Sequence, residues 1–357
     1  MARTKKMYGI AIALLVASIP GIGKIPWAAH WGFDLQNIHE FYHCGDRAIA
    51  NPYVIAGACG DVVGRPMPYP PLLFYSFYWL KWVSLETAVW LWDAFVLVAL
   101  TGAAATWLGR RRFFRKDALV FWALLLLQLP VVFTLERGNN DVGAVWLWTL
   151  GWLAFERRRA GTSGFFAGLA AAFKVYPATA AAALGGGVLL SARGRARQTL
   201  AWSAGALGAL AVFAFLLFPE QGREYWLHML PAYSKQGAGI WPYSHSLSRT
   251  FDGPFWLPAL AIRLGLLGAW TFAAARRLHD DAALTFAGTL AISTYFAGIS
   301  YDYHLGTTYP LPLLLFKRER WGLLLLGLFA VCGNRYLFGA FPLPVLYPLL
   351  QILWLVT

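Results

Sequence analysis

Charge is scarce in this chain: 13% of its 357 residues are Asp, Glu, Lys or Arg, against 59% hydrophobic, with a mean hydropathy of +0.52. Soluble domains carry about twice that charged share, so a water-soluble enzyme is excluded. Aromatic residues at 17% exclude a disordered tail. Strict in-out alternation is also missing. Runs such as 11–20, 121–130 and 321–330 are almost wholly apolar, which excludes a transmembrane β-barrel and leaves helices. Cysteine is rare, and Cys44, Cys59 and Cys332 show no metal-ligand spacing, so zinc is not expected. Cys44 and Cys59 share one polar region where an oxidising compartment would permit a disulfide. Neither an internal repeat nor a clear cleavage site after the first apolar run is evident, so that run reads as an uncleaved anchor.

What is present is an all-α polytopic membrane chain, read as one domain over 1–357. The net charge of +13 comes from 30 basic and 17 acidic residues. Much of the excess stands in short clusters between apolar runs: Arg3 to Lys6, Arg110 to Lys116, Arg157 to Arg159, Arg193 to Arg197, Arg276 with Arg277, and Lys317 to Arg320. Such clusters mark the cytoplasmic side of a membrane protein rather than a nucleic-acid surface. Requiring each to be inside predicts about twelve spans, near 7–24, 87–108, 118–135, 141–156, 162–174, 177–191, 199–218, 256–275, 281–299, 303–316, 321–335 and 339–356. The segment 69–84 is then a helix lying on the outer surface. Two long outer loops remain, 25–86 and 219–255, and loops of that length usually carry function.

Ionisable groups retained near membrane depth are costly and therefore candidates for function. Asp34, in WGFDLQNIHEFY, is a candidate general base among aromatic residues; its alternative is a solvated acid or helix cap. ERGNND, Glu136 to Asp141, places Arg137 beside Gly138, Asn139 and Asn140, either to present donors to an anion or simply to make a turn. Lys174 precedes a proline break at Pro177 and either snorkels or faces a phosphate. SHSLSRTFD brings His245 and Ser246 near Arg249, whose guanidinium can grip phosphate bidentately. Asp302 and His304 lie between tyrosines in ISYDYHLGTTYP. Asp93 is a further ionisable residue inside a span. Apart from Asp93, these groups gather on the side opposite the basic clusters.

In order, Asp34, NPY at 51–53, YPPL at 69–72, GNND at 138–141, Lys174-Val-Tyr-Pro177, Ser244 to Leu247 with Arg249, and the late His304 to Pro310 segment make the chain resemble the GT-C superfamily of membrane glycosyltransferases. Within it, the chain resembles the bacterial polyprenol-phosphate-mannose-dependent α-1,2-mannosyltransferases. The resemblance implies a GT-C-like bundle and inverting transfer of a sugar, mannose first, from a polyprenyl-phosphate-linked donor to a glycolipid or glycan hydroxyl at the outer face of the cytoplasmic membrane. Asp34 would be the base. Lys174, Arg249 and Arg137 would hold the donor phosphate, and Tyr69, Asn139, Asn140, His245, Ser246 and His304 would bind substrate. No cofactor, nucleic acid or obligatory protein partner is implied, a divalent cation stays open because separated outer acids could hold one although no ligand spacing demands it, and no nucleotide-binding fingerprint argues for a sugar-nucleotide donor. Gly138-Asn139 replaces the usual Gly-Gln, and Ser244-His245 an Asn-Gln, which bears on sugar and acceptor identity. A transporter or flippase of lipid-linked sugars, or a scaffold subunit, are the competing classes.

Overall fold

The computed structural model describes residues 31–54, 66–191, 196–232, 256–296 and 308–320, with isolated residues at 9, 12, 13, 16, 306, 322 and 324. The described residues contain helices and turns and no strand. In chain order the helices are α1 (Phe33–His43), α2 (Asp46–Ala50), α3 (Pro71–Ser76), α4 (Leu85–Leu108), α5 (Arg110–Phe113), α6 (Lys116–Leu126), α7 (Leu129–Glu136), α8 (Asp141–Glu156) and α9 (Ala160–Phe173). They continue with α10 (Pro177–Leu190), α11 (Ala196–Ala211), α12 (Pro219–Arg223), α13 (Trp256–Arg277), α14 (Ala282–Phe296) and α15 (Pro310–Lys317).

Helix α4 shows how the sequence makes a span. Ser84 caps it, its hydroxyl accepting from the Thr87 N–H at 3.4 Å, and Gly109 ends it with φ +84°. Its 24 residues rise about 36 Å, more than a hydrocarbon core. Val96, Leu100 and Ala103 are buried while Trp90, Leu91, Phe95 and Val98 are exposed. A helix apolar on both faces is packed against protein on one and lipid on the other. By length and composition α4 and the run Ala196–Leu216 are long and apolar enough to cross a membrane. A third crossing is made if α6 and the segment Pro130–Glu136 count together. Ala160–Phe173, Pro177–Leu190 and Ala282–Thr294 are shorter apolar helices. Of the twelve spans expected, those at 7–24, 321–335 and 339–356 fall largely or wholly outside the described residues, and 303–316 does so in part.

Two expected segments differ in detail. The span read as continuous over 118–135 is bent by 59° between α6 and Pro130–Glu136. Pro130 removes a backbone donor and crowds the preceding turn, and Gln128 answers by bonding the Leu124 carbonyl at 3.0 Å. The surface segment 69–84 is also divided, into α3 and a tight 3-10 turn at Tyr78–Trp82. Leu73, Phe74 and Leu80 are buried there, while Trp82 is 68% exposed.

Helices α8 and α9 run antiparallel, and this sets two chemically different ends. The α8–α9 turn, Arg157 to Arg159, carries Arg158 at φ +59° and returns the chain so that Lys174, just past α9, stands beside Asp141, the first residue of α8. At the other end, Glu156, Arg158, Arg197, His279, Asp281 and Arg318 line one cavity of about 1170 Å³. Arg318 is ion-paired with Asp281 there. Among the described residues, the basic turns that hold Arg158, Arg197 and Lys317 with Arg318 therefore share one end of the bundle.

Helices α9 and α11 pack backbone to backbone. A Cβ on Gly164 or Gly168 would collide with the carbonyls of Trp202 or Ala206, and one on Gly205 with that of Gly161. Small residues at such spacing are a common solution to close packing in lipid. A separate apolar cluster joins the two long loops: Leu35, Ile38, Phe41, Phe74 and Leu80 pack with Tyr225, which follows α12. Gln221 donates to the Ala50 carbonyl at 2.7 Å, and Tyr75 stacks on Phe218 at 4.8 Å.

Candidate active site

The site begins with a turn. After α7 the chain reverses through Gly138 at φ +61°, a left-handed conformation that favours glycine. A Cβ there would lie 3.3 Å from the Gly32 Cα, so the residue also lets the two loops touch. Backbone bonds then fasten them: Gly32 N–H to the Glu136 carbonyl at 2.7 Å and Asp34 N–H to the Arg137 carbonyl at 2.8 Å.

Those contacts hold Asp34, 3% exposed, against the ERGNND turn. Its Oδ1 accepts from Arg137 Nη2 at 2.8 Å and its Oδ2 from Asn139 Nδ2 at 3.0 Å. The Arg137 guanidinium lies 4.2 Å over the Phe33 ring, which fixes its plane. Asn139 is fully buried and works in both directions. Its Oδ1 accepts from the Asp141 N–H at 2.7 Å, and its carbonyl accepts from Trp92 Nε1 at 3.2 Å.

The next link is Asp141, whose carboxylate is 2.9 Å from Lys174 Nζ. Lys174 also faces the Tyr69 ring at 4.9 Å. Tyr69 in turn offers its carbonyl to the Tyr53 hydroxyl at 2.8 Å, so the NPY and YPPL segments meet at this point. Burial pushes the Tyr53 phenol well above its ordinary value, which keeps it a donor. Asp93, expected inside a span, lies in the first half of α4 and accepts from Trp31 Nε1 at 3.1 Å.

Of the residues proposed from sequence, Asp34, Arg137, Asn139, Asn140, Lys174 and Tyr69 are described, and all belong to this end of the bundle. Arg249, His245, Ser246 and His304 lie outside the described residues, as does Asp302. Two participants were not assigned roles from sequence: Asp141, the partner of Lys174, and Glu136, whose carboxylate is buried beside the network. No group of three or more His, Cys, Asp or Glu is placed to hold a metal ion among the described residues. Cys44 is disulfide-bonded, and both other cysteines lie outside the described residues.

Such an arrangement can take a proton at a carboxylate held open by donors and can present cations to an anionic group a short distance away. Together with lipid-facing helices it defines a membrane protein with an acid–base site at one end of its bundle. The chain belongs to glycosyltransferase family 87, a GT-C-type family of membrane glycosyltransferases, whose family model matches residues 68–298. The match takes in Arg137, Asn139, Asp141 and Lys174 and begins after Asp34. No curated protein and no solved structure matches it. The protein is thus a membrane glycosyltransferase, and the family does not favour the transporter alternative.

Proposed function

We propose that this glycosyltransferase moves a sugar, with mannose the first choice, from a polyprenyl-phosphate-linked donor to a hydroxyl of a glycolipid or glycan, with inversion. The reaction takes place at the outer face of the cytoplasmic membrane, opposite the basic end of the bundle. One observation carries the reading: Asp34 is buried at that opposite end with both oxygens oriented by Arg137 and Asn139.

In this reaction the acceptor oxygen attacks the anomeric carbon as its proton passes to Asp34. The bond from that carbon to the phosphate oxygen breaks, and its electron pair leaves with polyprenyl phosphate. Lys174 and Arg249 offset the charge developing on the phosphate, with Arg137 behind them. Tyr69 lines the donor groove beside the Lys174 ammonium, 4.9 Å from the ring centre. Asn139 and Asn140 bind substrate from the turn, and His245, Ser246 and His304 do so from the later loops. Nothing in this scheme requires a metal or a protein partner.

The experiment compares transfer from radiolabelled polyprenyl-phosphate-mannose to glycolipid in membranes holding equal amounts of the parent or Asp34→Asn. Loss of a general base lowers the rate about 10²- to 10⁴-fold. Equal transfer by both proteins removes Asp34 from the chemistry. Transfer by neither removes this donor and acceptor.

A further inference from the structure

Glu136 is the last residue of α7, and its backbone is fully engaged in the site while its side chain is not. The carbonyl accepts from Gly32 N–H at 2.7 Å, so the residue is held in place. Its side chain is another matter: the residue is 2% exposed, and both carboxylate oxygens are enclosed with no hydrogen-bond partner among the described residues. Asn140, beyond the Gly138 turn and 1% exposed, is in the same condition at both Oδ1 and Nδ2. Buried polar atoms in folded proteins are nearly always satisfied, so a cluster of unsatisfied ones beside a reactive carboxylate marks a place where something else binds.

Its chemistry can be read from the atoms. Glu136 Oε1 and Oε2 and Asn140 Oδ1 accept, and Asn140 Nδ2 donates. A phosphate brings only acceptors and negative charge; the Arg137 charge favours the Glu136 carboxylate, but Asp34 and Asp93 oppose further negative charge beside it. Arg137, the cation nearest in sequence, is engaged by Asp34. A metal ion would need more carboxylates than any described group supplies. Hydroxyl groups fit, since each can donate to a carboxylate and accept from an amide.

We propose that Glu136 and Asn140 form a hydroxyl-binding subsite for the transferred sugar. The Glu136 carboxylate accepts from adjacent ring hydroxyls and the Asn140 amide takes up another. This rests on the transferase reading and goes further, because it assigns the sugar ring to two named side chains of the ERGNND turn. Glu136 acts on substrate by orientation. It is adjacent in sequence to Arg137, whose carbonyl holds the Asp34 N–H, so a ring fixed here is fixed relative to the base.

The test uses the full chain in nanodiscs, with the natural donor and a set of singly deoxygenated sugar donors. The parent loses roughly 10- to 100-fold in kcat/KM with the analogue that lacks a contacted hydroxyl. Glu136→Gln loses a similar factor with the natural donor and almost nothing further with that analogue. Its melting temperature stays close to the parent's. Asn140→Ala shows the same convergence for a different hydroxyl, which keeps the test open if one variant fails to fold. A buried site filled only by water gives another pattern: parent and variants discriminate equally at every hydroxyl, and this overturns the proposal. So does unchanged transfer by both variants. An active parent without such convergence sinks the subsite alone, whereas a parent that transfers no sugar from any donor sinks the transferase reading with it.

Discussion

Replacing Asn139 by aspartate changes one atom and reverses its relation to Asp34. In the parent, Asn139 Nδ2 donates to Asp34 Oδ2 at 3.0 Å, and Oδ1 accepts from Asp141 N–H at 2.7 Å. Asn139→Asp keeps the second bond and turns the first into a meeting of two carboxylate oxygens. Two unit charges about 4 Å apart at an effective dielectric of 20 repel by about 4 kcal/mol. Losing the charge-assisted hydrogen bond adds roughly 1.5 to 3 kcal/mol. Arg137 offsets part of this, and protonating one of the pair sets a ceiling, because holding a carboxyl protonated at neutral pH costs about 4 kcal/mol. The expected destabilisation is therefore about 3 to 4 kcal/mol at pH 7, shrinking as the pH falls and the pair takes up a proton. The two carboxylates titrate together, and the acidic limb of the pH–rate profile moves upward by at least one unit. Transfer assays and thermal unfolding of the purified protein across pH 4.5 to 8 would read both effects, on a scale where one pH unit is about 1.4 kcal/mol. An unmoved acidic limb, with stability lost equally at every pH, would refute the coupling of Asn139 to Asp34.

Lys174→Met leaves the buried Asp141 carboxylate without its cation and should cost about 3 to 5 kcal/mol in denaturant unfolding. Adding Asp141→Asn should recover much of that stability but not activity; additive losses would show that the pair is not coupled. In the first loop, burial holds the His39 imidazole below its ordinary value of 6.5, although the Val83 carbonyl at 2.9 Å and Glu40 pull upward and His43 pulls down. A depressed folded value means that the unfolded chain binds the proton first. The stability due to neutral His39 is thus complete above about pH 6.5 and is lost as the pH falls through the lower folded value. His39→Asn should flatten that acid-side loss in thermal melts, and an unchanged slope would assign it elsewhere.

Much of the fold was legible because charge patterning and proline are strong signals in lipid. The basic turns that hold Arg158, Arg197 and Arg318 meet at one end of the bundle, and the Lys174 to Pro177 break fell between α9 and α10 as expected. The bend at Pro130 had its cause in plain view, yet an unbroken apolar run outweighed it. The pairing of Asp141 with Lys174 was hidden only by distance along the chain. The two stand almost equally far on either side of Arg158, so an antiparallel helix pair brings them together. Glu136 was missed for a different reason. Beside an arginine it reads as one half of a solvated charge pair, and only three-dimensional packing reveals that Arg137 turns to Asp34 instead. The union of the loops through Tyr225 and Gln221 depends on contacts far apart in sequence, and no local pattern announces it.

The contact between α9 and α11 bears on how this enzyme can move. Where glycines bring two backbones together there is no cushion of side chains, so a slip of one residue would drive a Cβ into a carbonyl. The pair is a rigid strut with one permitted register. Lys174 rides just past the end of that strut, and its position is inherited from a seam that runs from Gly161 to Gly168 of α9. Any shape change that admits substrate is therefore hinged around this strut rather than along it.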